Sequence, residues 1–138
     1  ANARAALETL HKEFPDHPEV SNSLGYFLAE KGLDLDFAAE LVTAALAAEP
    51  GNGAFLDSMG WIHFRTGNLE QALDFMIQAV NVLPDDPVIL EHLGMVLNAQ
   101  GKTVEALDVV RRALARGGDQ ERLKALIIEL EAAGSQER

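Results

Sequence analysis

Cysteine is absent from the 138-residue chain, which excludes disulfides, thiolate zinc sites and cysteine nucleophiles. Aromatic residues are sparse, with one Trp and one Tyr. Alanine and leucine dominate instead, a bias that favours helices over strands. The five prolines fall between periodic segments, not inside them. No apolar run approaches the ~18 residues of a membrane-spanning helix, so direct membrane insertion is not expected. No signal peptide is visible. The chain starts at Ala1, not Met, as a processed or excised piece of something longer would.

Positive charge is also scarce. Lysine and arginine total 11 against 22 aspartates and glutamates, a net charge of −11. Such a chain repels phosphate backbones, so nucleic-acid partners are disfavoured and a basic or apolar partner is easier to accommodate. The imbalance is local: residues 1–101 carry 4 basic and 15 acidic side chains, whereas residues 102–138 carry 7 of each. Arg111, Arg112, Arg116, Arg122 and Lys124 supply most of the late cations and read as exposed faces of the last two helices.

Constellations that carry chemistry are missing too. His11, His17, His63 and His92 form no pair or carboxylate cluster of metal-ligand spacing, so no metal or cofactor is expected. His63 falls on an apolar helix stripe and reads as a packed, hydrogen-bonded core residue. Glu49-Pro50-Gly51-Asn52-Gly53 lacks the lysine and strand context of a phosphate loop and reads as a turn. Ser21, Ser23 and Ser58 have no nucleophile-elbow context. Asp85-Asp86 belongs to a turn and helix cap. An enzyme is the least expected class.

What the chain has in abundance is internal repetition. Gly25, Gly60 and Gly94 are spaced 35 and 34 residues apart, as are Gly32, Gly67 and Gly101, then Leu24, Met59 and Leu93, and then Pro15, Pro50 and Pro84. Ala38, Ala72 and Ala106 are spaced 34 and 34, as are Ala45, Ala79 and Ala113. The extra residue lies between Gly32 and Ala38, in a link between helices, where it disturbs no helical register. Each unit reads as two helices: roughly 18–31 and 36–48, 53–66 and 69–82, 87–100 and 103–116. Pro18 and Pro87 suit first helical positions after the polar cap candidates His17 and Asp86. Gly32, Gly67 and Gly101 suit left-handed caps, and Asn68 suits an N-cap. Gly25, Gly60 and Gly94 each cost a helix interior ~1 kcal/mol relative to alanine. Their recurrence points to close approach of the second helix.

Leu24-Gly25 to Ala38, Ala45 and Pro50, and Met59-Gly60 to Ala72, Ala79 and Pro84, resemble the tetratricopeptide repeat (TPR). The third unit follows with Leu93-Gly94, Ala106 and Ala113, but has Gly118 where proline is expected. Ser21, Leu56 and Leu90 replace the large aromatic early in the first helix; Leu28, His63 and Leu97 replace the late tyrosine. The resemblance implies an all-α fold in a single domain over 1–138, a right-handed α-solenoid of about three helix-turn-helix units: 18–52, 53–86 and 87–118. Residues 2–14 read as an N-terminal half-repeat helix. Residues 119–133, with Leu123, Leu126, Ile127 and Leu130, read as a C-terminal capping helix, and Ser135–Arg138 as a frayed tail. The stretch from Leu24 to Gly101 also resembles multi-repeat bacterial TPR proteins, many of them exported. That implies bacterial cytoplasm or periplasm, with outer-membrane association as part of a longer chain.

The resemblance further implies a protein–protein interaction module whose first helices line a concave groove. The groove face would present Glu19, Asn22, Tyr26 and Glu30 from the first unit, Asp57, Trp61, Phe64 and Arg65 from the second, and Glu91, Met95 and Asn98 from the third. Trp61, Phe64, Tyr26 and Met95 would form an apolar floor, unless Trp61 and Tyr26 are spent packing one repeat on the next. Asp57 and Glu91 would grip a basic side chain. Family members that clamp a C-terminal carboxylate use lysine, arginine and asparagine; here only Asn22, Asn98 and Arg65 offer that chemistry, so such a ligand is not expected. The expected role is an adaptor or assembly scaffold for an extended peptide or partner helix. A dedicated chaperone for a secreted client and a structural array self-associating through its repeat ends are the alternatives.

Overall fold

A computed structural model describes residues 2–136, all in helices and the turns between them. The order is α1 (Asn2–Glu13), α2 (Pro18–Lys31), α3 (Leu35–Ala48), α4 (Gly53–Arg65), α5 (Leu69–Val82), α6 (Pro87–Ala99), α7 (Thr103–Ala115) and α8 (Gln120–Gln136). The helices pair as hairpins, α2 with α3, α4 with α5 and α6 with α7, and each hairpin stacks on the next. The result is an α-solenoid in which α2, α4 and α6 lie side by side. α8 runs further than the sequence pattern suggests: Ser135 is helical, not frayed, while Glu137 and Arg138 lie outside the described residues.

The helix ends follow local chemistry. Pro18 and Pro87 open α2 and α6, where a missing N–H costs nothing. Asp86 Oδ1 accepts from the Val88 and Ile89 amides at 2.9 and 3.2 Å. Asn52 Oδ1 does the same for Phe55 at 3.2 Å. Two expected caps differ. Neither His17 nor Asn68 bonds the first turn through its side chain. Asn68 donates its side-chain amide to Thr66 Oγ1 instead. Gly32, Gly67 and Gly101 take φ of 67°, 83° and 81°, and the following amides reach back to Leu28, His63 and Leu97 carbonyls at 2.9 Å each. These bonds satisfy carbonyls the helix ends leave open.

The inserted residue of the first unit is absorbed at Asp34, with φ 44°. A left-handed non-glycine residue costs about 1 kcal/mol. Arg4 of α1 pairs with the Asp34 carboxylate at 2.6 Å, which holds the guanidinium more firmly charged than usual.

Packing explains the in-helix glycines. A Cβ on Gly25 would lie 2.7 Å from Val42 Cγ2, and one on Gly60 would lie 2.9 Å from Met76 Cε. On Gly94 it would collide with Val110 Cγ2. The second helices answer with Ala38, Ala45, Ala72, Ala79, Ala106 and Ala113, all essentially inaccessible. Leu24, Leu28, Val42, Met76, Leu90, Val96, Val110, Leu123 and Leu130 share one main core, beside a smaller cluster of Leu56, Ala79 and Ile89. Each such large side chain contributes roughly 1.5–3 kcal/mol by leaving water. Gly118, in the place of the third proline, is equally confined between Leu123, the Ala113 carbonyl and Pro87.

Candidate binding groove

The repeat sets the groove residues in columns. Asn22, Asp57 and Glu91 occupy one register, and Tyr26, Trp61 and Met95 occupy the next turn. Because α2 packs on α4 and α4 on α6, each column runs across the first helices. Three depressions line that face. One of about 240 Å³ is bordered by Asn22, Tyr26, Asp57, Ser58 and Val88 among others. A second of about 390 Å³ is bordered by Tyr26, Glu30, Trp61, Glu91, His92, Met95 and Arg122. A third of about 480 Å³ lies around Asn22, Tyr26, Phe27 and Glu30. Tyr26 borders all three, so they form one discontinuous trough.

Two expected grips are already engaged. Asp57 is buried, and its Oδ1 lies 2.8 Å from His92 Nδ1; the carboxylate accepts, so Nδ1 carries the proton. Glu91 is likewise buried and receives Arg122 Nε and Nη2 at 2.7 and 2.8 Å, a two-point clamp from α8 onto α6. Arg122 consequently titrates well above its ordinary range, chiefly through the hydrogen bonds to Glu91. Neither carboxylate stands free for a basic side chain. Both join one first helix to the next, because a charge buried in the seam between repeats needs a partner there.

The aromatic floor is also part of the seam. Trp61 is 6% exposed. It stacks on His92 at 4.1 Å and 21°, and on Phe64 at 4.9 Å and 19°. Tyr26 approaches His92 at 6.2 Å and donates its hydroxyl to Glu30 Oε1 at 3.2 Å. Burial, then the charges of Glu30 and Asp57, push the phenol well above its ordinary value. Met95 is half-buried at the trough's edge. Glu19, Phe64, Arg65 and Asn98 border none of the three depressions. Glu19 and Asn98 are simply exposed, and Arg65 folds back to within reach of Gly32. Asn22, Arg65 and Asn98 are therefore not gathered as an anion clamp.

Val88, His92 and Arg122 border the trough without having been expected there. Val88 shares a register with Glu19, so the column itself pointed to it. His92 follows Asp57 by 35 residues and Arg122 follows Glu91 by 31. Those separations are one repeat offset by one residue or by about one helical turn, which places residues on facing sides of adjacent first helices. His63 is packed as expected, stacking on Phe75 at 5.5 Å. Its Nδ1 has no hydrogen-bond partner, however, and burial lowers its pKa. Two further buried polar atoms belong to the trough and have no partner: Asn22 Oδ1, an acceptor, and Trp61 Nε1, a donor.

A row of paired helices with its polar and aromatic residues collected on the first-helix face defines an α-solenoid interaction scaffold. The Tetratricopeptide repeat family profile matches residues 1–53 and 58–121, and the chain belongs to that family. A TPR repeat-containing protein of Pseudomonas aeruginosa is 41% identical over 80 residues, 58% of this chain and 13% of that protein's length. Among solved structures, a thermophilic TPR protein of Thermus thermophilus superposes with a TM-score of 0.83 at 23% identity, covering 94% of this chain and 72% of that one. The Sgt2 TPR domain of Aspergillus fumigatus gives 0.77 at 18% identity, covering 86% and 80%. These neighbours share the fold. The family is a general protein-interaction module and is typically non-catalytic.

Proposed function

We propose that the trough along α2, α4 and α6 holds an extended, basic-to-apolar segment of a partner protein, the chain serving as an adaptor or assembly scaffold. The observation that carries this reading is the trough itself, three depressions joined at Tyr26 across the first helices, with Tyr26, Val88, Met95 and Glu30 on its walls. A shallow, discontinuous depression running across several helices suits an extended segment better than a compact ligand. Tyr26 and Met95 supply apolar contact along it. Glu30, Asp57 and Asp86 surround Tyr26 with negative charge, which disfavours an acidic ligand. Because Asp57 and Glu91 are committed to the seam, selectivity for basic residues falls chiefly to exposed Glu30.

The test is selection of binders from a random peptide library on the immobilised chain. The expected peptides are extended and basic-to-apolar, and bind a Tyr26→Ala, Met95→Ala double variant at least about tenfold more weakly, roughly 1.4 kcal/mol. Circular dichroism checks that the variant is folded. Unchanged affinity would move the site away from the trough.

A further inference from the structure

The second depression of the trough is where four helices contribute side chains to one place. Tyr26 and Glu30 come from α2, Trp61 from α4, Met95 from α6 and Arg122 from α8. Its volume of about 390 Å³ lies at the low end of the roughly 300–1,000 Å³ of small-ligand pockets, room for one long side chain but not for a helix. Val88, Met95 and the Tyr26 ring give it apolar walls, whereas the Trp61 ring is already stacked on Phe64 and His92. Its charges do not cancel. Arg122 and Glu91 neutralise each other through their two-point clamp, and Arg122 also reaches Asp119 at 3.4 Å. Glu30 is left over. It is exposed, and the Tyr26 hydroxyl donates to its Oε1 at 3.2 Å, which holds the carboxylate at the rim. A carboxylate accepts several donors, so this bond does not fill it. Burial, and then the charges of Glu30, Asp57 and Glu91, push the Tyr26 phenol up; the field at that ring is negative.

We propose that this depression anchors one basic side chain of the partner, a lysine or an arginine, and so sets the register of the bound segment; the inference rests on the trough being the binding face. The alkyl stem lies along Val88 and Met95, as the stems of long charged side chains lie on apolar surface. The cation meets the Tyr26 ring and the Glu30 carboxylate together. The ring attracts it through its quadrupole, and the carboxylate through its charge. An acidic side chain would be repelled by Glu30, and an apolar one would cover Glu30 without answering its charge. Of the two carboxylates that border the depression, Glu91 is taken by Arg122. The cation therefore has one address, and a segment carrying several basic residues is positioned by one of them.

The probes are the tightest library-selected peptide and its variants in which each lysine is replaced by norleucine, or each arginine by citrulline, one at a time. Calorimetric titration should find a single position whose neutralisation weakens binding about fivefold or more, the other basic positions mattering little. Glu30→Gln keeps an acceptor for the Tyr26 hydroxyl and should weaken the parent peptide by a similar factor. Combined with the neutralised peptide it should cost nothing further, the mark of two partners in one contact. Glu19→Gln removes the same charge from an exposed site outside the depression and should leave the affinity unchanged. Equal losses for Glu19→Gln and Glu30→Gln, or for every basic position of the peptide, would show diffuse attraction and overturn the anchor. So would a Glu30→Gln variant that binds normally while Tyr26→Ala, Met95→Ala binds weakly, in which case the trough remains the binding face. If that double variant also binds normally, or the library returns no peptide, the reading of the trough fails and the anchor falls with it.

Discussion

A carboxylate inside a protein persists only where something answers its charge, and two residues of the groove show two answers. Asp57 takes a ring N–H from His92, and Glu91 takes two guanidinium donors from Arg122. Removing Asp57 strands a buried donor. Asp57→Ala should therefore cost about 1–3 kcal/mol in urea unfolding, while Asp57→Asn, which retains an acceptor, should cost less; equal losses would contradict the pairing. His63 gives a pH signature. Burial holds its pKa below the ordinary 6.5, so as pH falls through that value the unfolded chain takes up the proton first. Stability contributed by His63 is complete above about pH 6.5 and is lost below it. Thermal melts of His63→Phe should show a shallower loss of Tm on acidification than the wild type. The pairing of Asp57 and Glu91 was hard to read in the sequence because hydropathy marks a face, not the side chain opposite. The register carried the information only once the side-by-side packing of α2, α4 and α6 was known.

Helix positions, by contrast, were legible almost to the residue, since prolines, cap residues and glycines mark each end and six ladders repeat the message. Even the inserted residue fell where the ladders put it, between Gly32 and Ala38, with Asp34 taking the strain. What repetition hides is how alike units differ inside. Gly60 faces only the movable Met76 side chain, whereas Gly94 faces Val110 and, behind it, the Ala106 carbonyl. Alanine gains about 1 kcal/mol in a helix interior, and overpacking costs about 1–3 kcal/mol. Gly60→Ala should thus be near neutral and Gly94→Ala destabilising, with Val110→Ala restoring part of the loss; the opposite order in denaturant unfolding would refute the packing account. α8 is held partly by its clamp. Arg122→Ala should lower stability by about 1–2 kcal/mol, less than a fully buried bond because the guanidinium is partly in water, and should speed amide exchange in α8 before α6.

On the scale of the whole molecule, the acidic surface and the trough have one origin. A solenoid buries its interior between neighbours and leaves its faces free to vary. The first-helix face has spent Asp57, Glu91 and Trp61 on cohesion between repeats. Tyr26, Glu30, Val88 and Met95 are the trough residues not spent in that way. The most direct test is NMR mapping of a library-selected peptide on the isotope-labelled chain. The largest shifts are expected at Tyr26, Glu30, Val88 and the Met95 methyl, with little change at the exposed Ile77 or Val104 on the second helices. Shifts concentrated on the second helices, with Tyr26 and Met95 unmoved, would contradict binding in the trough.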